Sequence, residues 1–271
     1  MKLSQTQIKT FQKKIYNFYK INKRDLLWRR HITPYRVLVS EIMLQQTQVP
    51  RVITKFPLFI KQFPDFNALS HASLKEILIA WQGMGYNRRA KYLKEIADIM
   101  MNEYKGRLPR NIEKLEMLPG IGKNTASSIM AFAYNKPVIF IETNIRSVYI
   151  HEFFHDAIDI HDKELLPFIE QTQDIIHPRD WYSALMDYGS FLKQEFGNPN
   201  RKSKHYNKQK TFEGSDRQLR GRILKLLTIH DRLSQIDIVQ KLGGCQKRVQ
   251  HVLYNLATEK LIKQKKGIYS L

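Results

Sequence analysis

The chain has 271 residues, 42% hydrophobic and 11% aromatic, enough apolar material for one large domain or two smaller ones and too much for a disordered chain. Forty-five Lys and Arg stand against 25 Asp and Glu, a formal charge of +20 that implies an anionic partner, most simply nucleic acid, with affinity that falls as salt rises. The single cysteine, Cys245, excludes an internal disulfide, a four-cysteine zinc site and a four-cysteine iron–sulfur cluster, and no apolar run reaches the roughly 18 residues that span a bilayer. No signal-peptide core opens the chain, so a reducing cytoplasmic location, nucleoid-associated in a prokaryote, is the expectation.

Residues 1–28 read as a helix, with Ile8, Phe11, Ile15 and Phe18 at three- and four-residue spacing. Thr33-Pro34 gives an N-cap followed by proline at the first helical position. The helix it opens runs from Tyr35 to Leu44, and Glu41 lies on or beside its apolar stripe of Val37, Leu38, Ile42 and Leu44. A carboxylate there is desolvated and can hold a proton near neutral pH; a partly exposed glutamate in a salt bridge fits the same periodicity. Further helices are expected over 51–63, 73–81, 87–104 and 111–117, separated by Pro64, the Gly83-Met84-Gly85 turn, and Gly106 with Pro109.

Leu118-Pro119-Gly120-Ile121-Gly122-Lys123-Asn124-Thr125-Ala126 follows, with glycines that permit tight turns immediately before a helix start. Free N–H groups at such a start favour an anion such as phosphate, and a plain helix-to-helix turn is the competing reading. Residues 137–141 are a short strand-like run, after which helical spacing resumes at Glu142-Thr143-Asn144-Ile145-Arg146. Two more helices are expected over 163–176 and 180–194. Phe56, Phe59, Phe63, Phe66, Trp81, Phe132, Phe153, Phe154, Trp181, Tyr182, Phe191 and Phe196 are assigned to the core.

From Gly197 to Lys210 apolar periodicity disappears and five of fourteen residues are basic, the signature of a solvated linker able to lie along phosphates. A second domain is expected over 217–271, with helices at 217–230, from Ser234 to Leu242, and from Lys247 to Glu259. A hairpin closes it, with strands at 261–263 and 268–271 and a turn at Lys265-Lys266-Gly267. That order describes a winged helix whose third helix presents Lys247 and Arg248 outward. Residues 201–271 hold seventeen Lys or Arg against five Asp or Glu, so DNA binding is the favoured role, with protein docking as the other use of such modules.

Several segments together resemble the helix–hairpin–helix DNA glycosylases, most closely the MutY-type adenine glycosylases. They are Leu27-Trp28-Arg29, Pro34-Tyr35-Arg36-Val37, Ser40-Glu41-Ile42-Met43-Leu44-Gln45-Gln46-Thr47-Gln48-Val49, Trp81-Gln82-Gly83-Met84-Gly85-Tyr86, the hairpin just described, and Glu142-Thr143-Asn144-Ile145-Arg146-Ser147-Val148. Order and spacing match over about 170 residues. The resemblance implies a mainly α, two-lobed glycosylase fold over 1–196, with a six-helix lobe at 29–134 and a second lobe of 1–28 plus 135–196. A linker at 197–216 and the winged-helix-like domain complete the expected plan. The implied active site lies in the cleft between lobes, and the implied partner of this monomer is double-stranded DNA, with no membrane.

By the same resemblance Glu41 is the general acid that protonates the departing base, Glu142 faces the sugar cation, and Asn144 orients that site. Gln46 and Tyr86 wedge into the base stack and fill the space left by the flipped base. Gly120, Gly122, Lys123, Asn124 and Thr125 grip the backbone. The implied activity is monofunctional removal of a mispaired base, adenine opposite 8-oxoguanine or G, in base excision repair. Removal of T or U opposite G, or a DNA-binding protein that has lost turnover, are the alternatives.

Three departures bear on the chemistry. Glu142 stands where the family has aspartate. Asn124 stands where bifunctional relatives place a Schiff-base lysine, so AP lyase activity is not expected, even with Lys123 one residue away. The four-cysteine motif that should begin near Lys193 is missing, so no cofactor is expected, and Arg201, Lys202, Lys204 and Lys208 are expected to supply positive charge without metal. His151-Glu152-Phe153-Phe154-His155 matches the zinc-protease pattern His-Glu-x-x-His, with His161 as a possible third ligand; a chance match on a helix is the simpler reading.

Overall fold

Ser4 and Gln7 start the first helix with a capping box, each side chain accepting the other's backbone N–H, and α1 then runs Gln5–Asn22. In the computed structural model, which describes residues 2–209, 211–243 and 245–271, this helix stops six residues before its expected end. The Arg24 backbone N–H donates to the Asp187 carboxylate, which fixes the chain on a non-helical course before the short α2, Leu27–Arg30.

Next come α3 (Pro34–Leu44), whose first turn is capped by Thr33 Oγ1 accepting from Arg36 N, and α4 (Val49–Gln62). α5 (Phe66–His71) is an addition to the expected set, created by Asp65, whose carboxylate accepts the Ala68 N–H at 2.8 Å. α6 (Leu74–Ala80), α7 (Arg88–Glu103), α8 (Ile112–Glu116), α9 (Lys123–Tyr134), α10 (Thr143–Phe153), α11 (Asp162–Thr172) and α12 (Pro178–Glu195) follow. The C-terminal part holds α13 (Asp216–Ile229), β1 (Leu233–Ser234), α14 (Gln235–Leu242), α15 (Gln246–Thr258), β2 (Lys263–Lys265) and β3 (Ile268–Ser270).

The chain divides into two compact units. The first comprises the residues up to Val37, Pro109–Met117 and Ile121–Lys208. Its core is aromatic: the Phe11 ring of α1 lies 5.5 Å from Tyr149, 5.0 Å from Phe153 and 5.8 Å from Trp181, joining α1 to α10 and α12. The strand expected at 137–141 does not form. The Val138 carbonyl instead accepts from Gln173 Nε2 and Tyr182 Oη, and the Ile141 carbonyl from Asn124 Nδ2, so side chains satisfy what a partner strand would. Phe196, assigned to the core, is 66% exposed and only leans on His151 and Phe191.

The start of the expected solvated linker is folded as well. A 3₁₀ turn at Pro199–Lys202 buries Asn200 and Ser203, and a parallel bridge pairs Ser203 with Ile160. Backbone bonds run from Ile160 N to Lys202 O and from Lys204 N to Ile160 O, both 3.0 Å.

The second unit comprises Leu38–Leu108, Leu118–Gly120 and Gln209–Leu271. Val52, Phe56, Phe59, Leu69, Ile77 and Trp81 form the core of its helical part. Its C-terminal part packs Ile223, Leu227, Ile238, Val252, Leu253 and Leu256 behind a three-stranded antiparallel sheet of order β1-β3-β2, in which Tyr269 faces both Leu233 and Gln264. β2 starts later than the sequence pattern suggests, because Lys260 turns left-handed (φ 55°) and the Leu261 N–H reaches back to Leu256 O to end α15. α13 lies against α6, with Gln82 Nε2 donating to Thr228 Oγ1 at 2.9 Å and Lys75 pairing with Asp231 at 2.5 Å. Among the described residues, no helix is long and apolar enough to cross a membrane.

Candidate functional site

In the first unit, α10 starts at Glu142, whose side chain caps its own helix. Oε1 accepts the backbone N–H groups of Asn144 (2.7 Å) and Ile145 (2.9 Å), while Oε2 lies 3.3 Å from Asn144 Nδ2. The helix N-terminus favours a carboxylate there. Burial pushes the Glu142 carboxyl above its usual range; the Ile145 and Asn144 N–H bonds and the charge of Arg146 oppose that shift without cancelling it. Glu142 and Asn144 are thus brought together as one unit. Arg146, one turn on, is paired with Asp162 at 2.6 Å.

Asn124, in the first turn of α9, donates Nδ2 to the Ile141 carbonyl at 2.9 Å, so it fixes the peptide that leads into Glu142. Gly122 caps α9 without a side-chain acceptor, leaving the first N–H groups of that helix to other partners. Lys123 is exposed beside them. Gly120 takes φ 73°, and a Cβ there would stand 2.3 Å from the Tyr92 ring, so glycine is required. In the second unit the Gly120 carbonyl accepts from Gln45 Nε2 at 3.2 Å, tying the hairpin to the end of α3.

Glu41 is half-buried on α3, three residues from the fully buried Leu38 and beside Ile42. The loop after it carries Gln46, and the loop after α6 carries Tyr86; both adopt left-handed backbone, φ 53° and 45°. Arg89 joins the two loops. Its buried guanidinium donates to the carbonyls of Ile42, Met43 and Gln45 on one side and to those of Met84 and Gly85 on the other. No carboxylate pairs with it in these bonds, and burial lowers its pKa to about 10, leaving it charged at neutral pH. Gln46 and Tyr86 line a cavity of about 500 Å³ in this unit, which Arg88, Arg217, Arg220 and Glu259 also line. Glu259 bridges Arg88 (2.6 Å) and Arg220; its burial would raise its pKa, but those two partners hold it below the usual carboxylate range.

The basic candidates divide. Arg201, Lys204, Lys208 and Lys247 are exposed, whereas Lys202 donates Nζ to the His155 carbonyl and Arg248 pairs with Asp216 at 2.7 Å and the Gly214 carbonyl. Thr125 is half-buried on α9. The His-Glu-x-x-His match is absorbed into packing: Glu152 accepts from Lys14 Nζ and Tyr188 Oη, each 2.7 Å. Among the described residues no group of three or more His, Cys, Asp or Glu could hold a metal ion.

Three features escaped the sequence reading. Arg89 looks like one of several surface basics in Asn87-Arg88-Arg89, and nothing in its spacing announces seven hydrogen bonds, two to the last turn of α3 and five to the two loops. Asp187, buried on α12, accepts from Arg24 and Arg29 and anchors the N-terminal segment. Gly189 did leave a signal, as a glycine inside a helical pattern: a Cβ there would lie 2.3 Å from the Asn144 carbonyl oxygen.

A family model described as HhH-GPD superfamily base excision DNA repair protein matches residues 39–168. The adenine DNA glycosylase of Buchnera aphidicola subsp. Baizongia pistaciae (strain Bp) is 36% identical over 187 residues, covering 67% of this chain and 52% of that protein. That of Mycolicibacterium smegmatis is 40% identical over 146 residues, covering 54% and 50%. The chain thus spans about half the length of these curated relatives. Among solved structures, a thermostable thymine-DNA glycosylase is similar with a TM-score of 0.61 and 30% identity, over 68% of this chain and 87% of that one.

Proposed function

Because this chain belongs to the HhH-GPD superfamily of base excision DNA repair proteins, we propose that it is a monofunctional DNA glycosylase that removes mispaired adenine from double-stranded DNA, acting as a monomer. The observation that carries this reading is the Glu142–Asn144 arrangement: a carboxylate fixed at a helix start by two backbone N–H groups, in a chain 36% identical to an adenine DNA glycosylase. In the proposed reaction Glu41 gives its proton to a ring nitrogen of the flipped base as the glycosidic bond breaks and its electron pair leaves with the base. The Glu142 carboxylate faces the positive charge that develops on the sugar, held in place by Asn144. Water then adds to the sugar carbon, loses a proton, and leaves an abasic site.

With Asn124 at the position where bifunctional relatives place a Schiff-base lysine, and Lys123 one residue away from it, the abasic strand stays intact until alkali cleaves it. Similarity to a thymine-DNA glycosylase over 87% of that chain favours thymine opposite guanine as the second reading. The test is incubation of the purified protein with duplexes carrying A:8-oxoG, A:G, G:T and G:U, followed by alkali. Strand breaks on A:8-oxoG that vanish in Glu41→Gln support adenine removal; breaks only on G:T support the second reading. Absence of breaks on every duplex refutes both.

A further inference from the structure

Tyr86 is held at its tip by residues of the C-terminal part of the same unit. Its Oη accepts from Arg217 Nη1 at 2.7 Å and from Gln209 Nε2. The Arg217 guanidinium also lies over the Tyr86 ring, 5.3 Å from its centroid, and equally over Phe212. Arg89 lies over the same ring at 5.4 Å. The base of Tyr86 is fixed too, since Arg89 holds the carbonyls of Met84 and Gly85 that set its left-handed turn. Arg88 and Arg220 share Glu259 as a counter-charge on the wall of the same cavity.

We propose that Arg217 is a positioning residue for Tyr86, so that the C-terminal part completes the surface that opens a base pair. The inference rests on the proposed glycosylase reading, which makes Tyr86 a residue that meets the opened stack. A phenol with a free tip samples several rotamers; one gripped at its ring and its oxygen meets DNA in a single orientation, which saves the ordering cost at the moment of insertion. Planar Arg217 can stack and donate at once, which a lysine cannot.

The test uses the full chain and a duplex with 2-aminopurine at the target position opposite 8-oxoguanine, whose fluorescence rises when the base leaves the stack. Arg217→Ala is expected to lower the opened fraction about tenfold, the size of one charge-assisted hydrogen bond, while changing affinity for an unmodified duplex by less than about twofold. Tyr86→Phe keeps the ring, removes the acceptor, and is expected to give the same loss, with the double variant no worse than either single one. Arg222→Ala, on the same helix with its guanidinium on the Leu242 carbonyl, is the control and is expected to open the base normally. Additive losses from Arg217→Ala and Tyr86→Phe, or an unchanged opened fraction in Arg217→Ala, overturn the inference. A wild-type protein that opens the base and shows the coupling but excises nothing from any duplex overturns the glycosylase reading alone.

Discussion

Gly189 offers the sharpest test of how the fold places the candidate chemistry. It lies inside α12 where that helix crosses α10, and an added Cβ would stand 2.3 Å from the Asn144 carbonyl oxygen and 2.8 Å from that residue's C and Cβ. Backbone on both sides leaves no flexible side chain to absorb the clash, so the helices must separate by about 1 Å to restore ordinary contact, and Asn144 moves with α10. Asn144 N and Nδ2 hold the Glu142 carboxylate together with Ile145 N on the same helix, so the displacement reaches the site directly. Overpacking of this kind costs roughly 1–3 kcal/mol, which lowers the melting temperature by about 2–10 °C in a protein of this size. A misplacement of that size costs on the order of a hundredfold in rate. Single-turnover excision on an A:8-oxoG duplex, measured well below the melting temperature, separates the two effects. Gly221→Ala is the control: it lies inside α13 with nothing within 4 Å of the new Cβ, so it is expected to leave the rate unchanged and to stabilise by about 0.5–1 kcal/mol. A Gly189→Ala protein within twofold of wild-type rate refutes the coupling of α12 to Glu142.

Two other sets of variants bear on the same geometry. Glu142→Gln is expected to lower the rate at least about a hundredfold, while Glu142→Asp, which caps a helix with a shorter reach, stays within roughly tenfold of wild type. Since burial raises the Glu142 carboxyl, the sign is definite: the protonated form favours folding, that contribution is lost as pH rises through the raised pKa, and the active ionised form is lost as pH falls through it. The acid limb of the pH–rate profile is therefore expected above the ordinary glutamate value of 4.5, and a limb at or below it counts against Glu142 as the ionised group. Arg89→Ala strips bonds from several buried carbonyls and is expected to cost at least about 3 kcal/mol by urea unfolding; a loss under about 1 kcal/mol refutes its role in joining the two loops.

Helix positions were legible in the sequence because apolar spacing, Thr33-Pro34 and Ser234 each carry a local cause. Glu41, Glu142 and the hairpin stand out as candidates through motifs confined to a few consecutive residues. Illegible were the long-range ties: Asp187 to Arg24 and Arg29 joins residues 163 and 158 positions apart, and Arg89 reaches 47 residues back to Ile42. Local pattern carries no record of such pairings. The strand expected at 137–141 failed for the same reason, since β-type composition says nothing about whether a partner strand or the side chains of Gln173, Tyr182 and Asn124 will take the carbonyls.

The segment after α12 shows how composition alone can mislead about charge. Five basic residues in fourteen suggest a mobile polycation. Yet Asn200 and Ser203 are buried, Ser203 bridges Ile160, and Arg146 reaches from α10 to Asp162 and Asn200. Lys202 is spent on the His155 carbonyl, which removes it from the exposed set. Arg201 and Lys204 remain exposed on either side of it, on backbone that the Ile160 bonds have already ordered. Fixing a residue's backbone costs about 1–2 kcal/mol, and here folding has met that cost before any phosphate arrives. On the proposed glycosylase reading, charge at Arg201 and Lys204 would be worth more to binding than the same charge on a free tail, and its placement depends on the packing around Ile160, between α10 and α11.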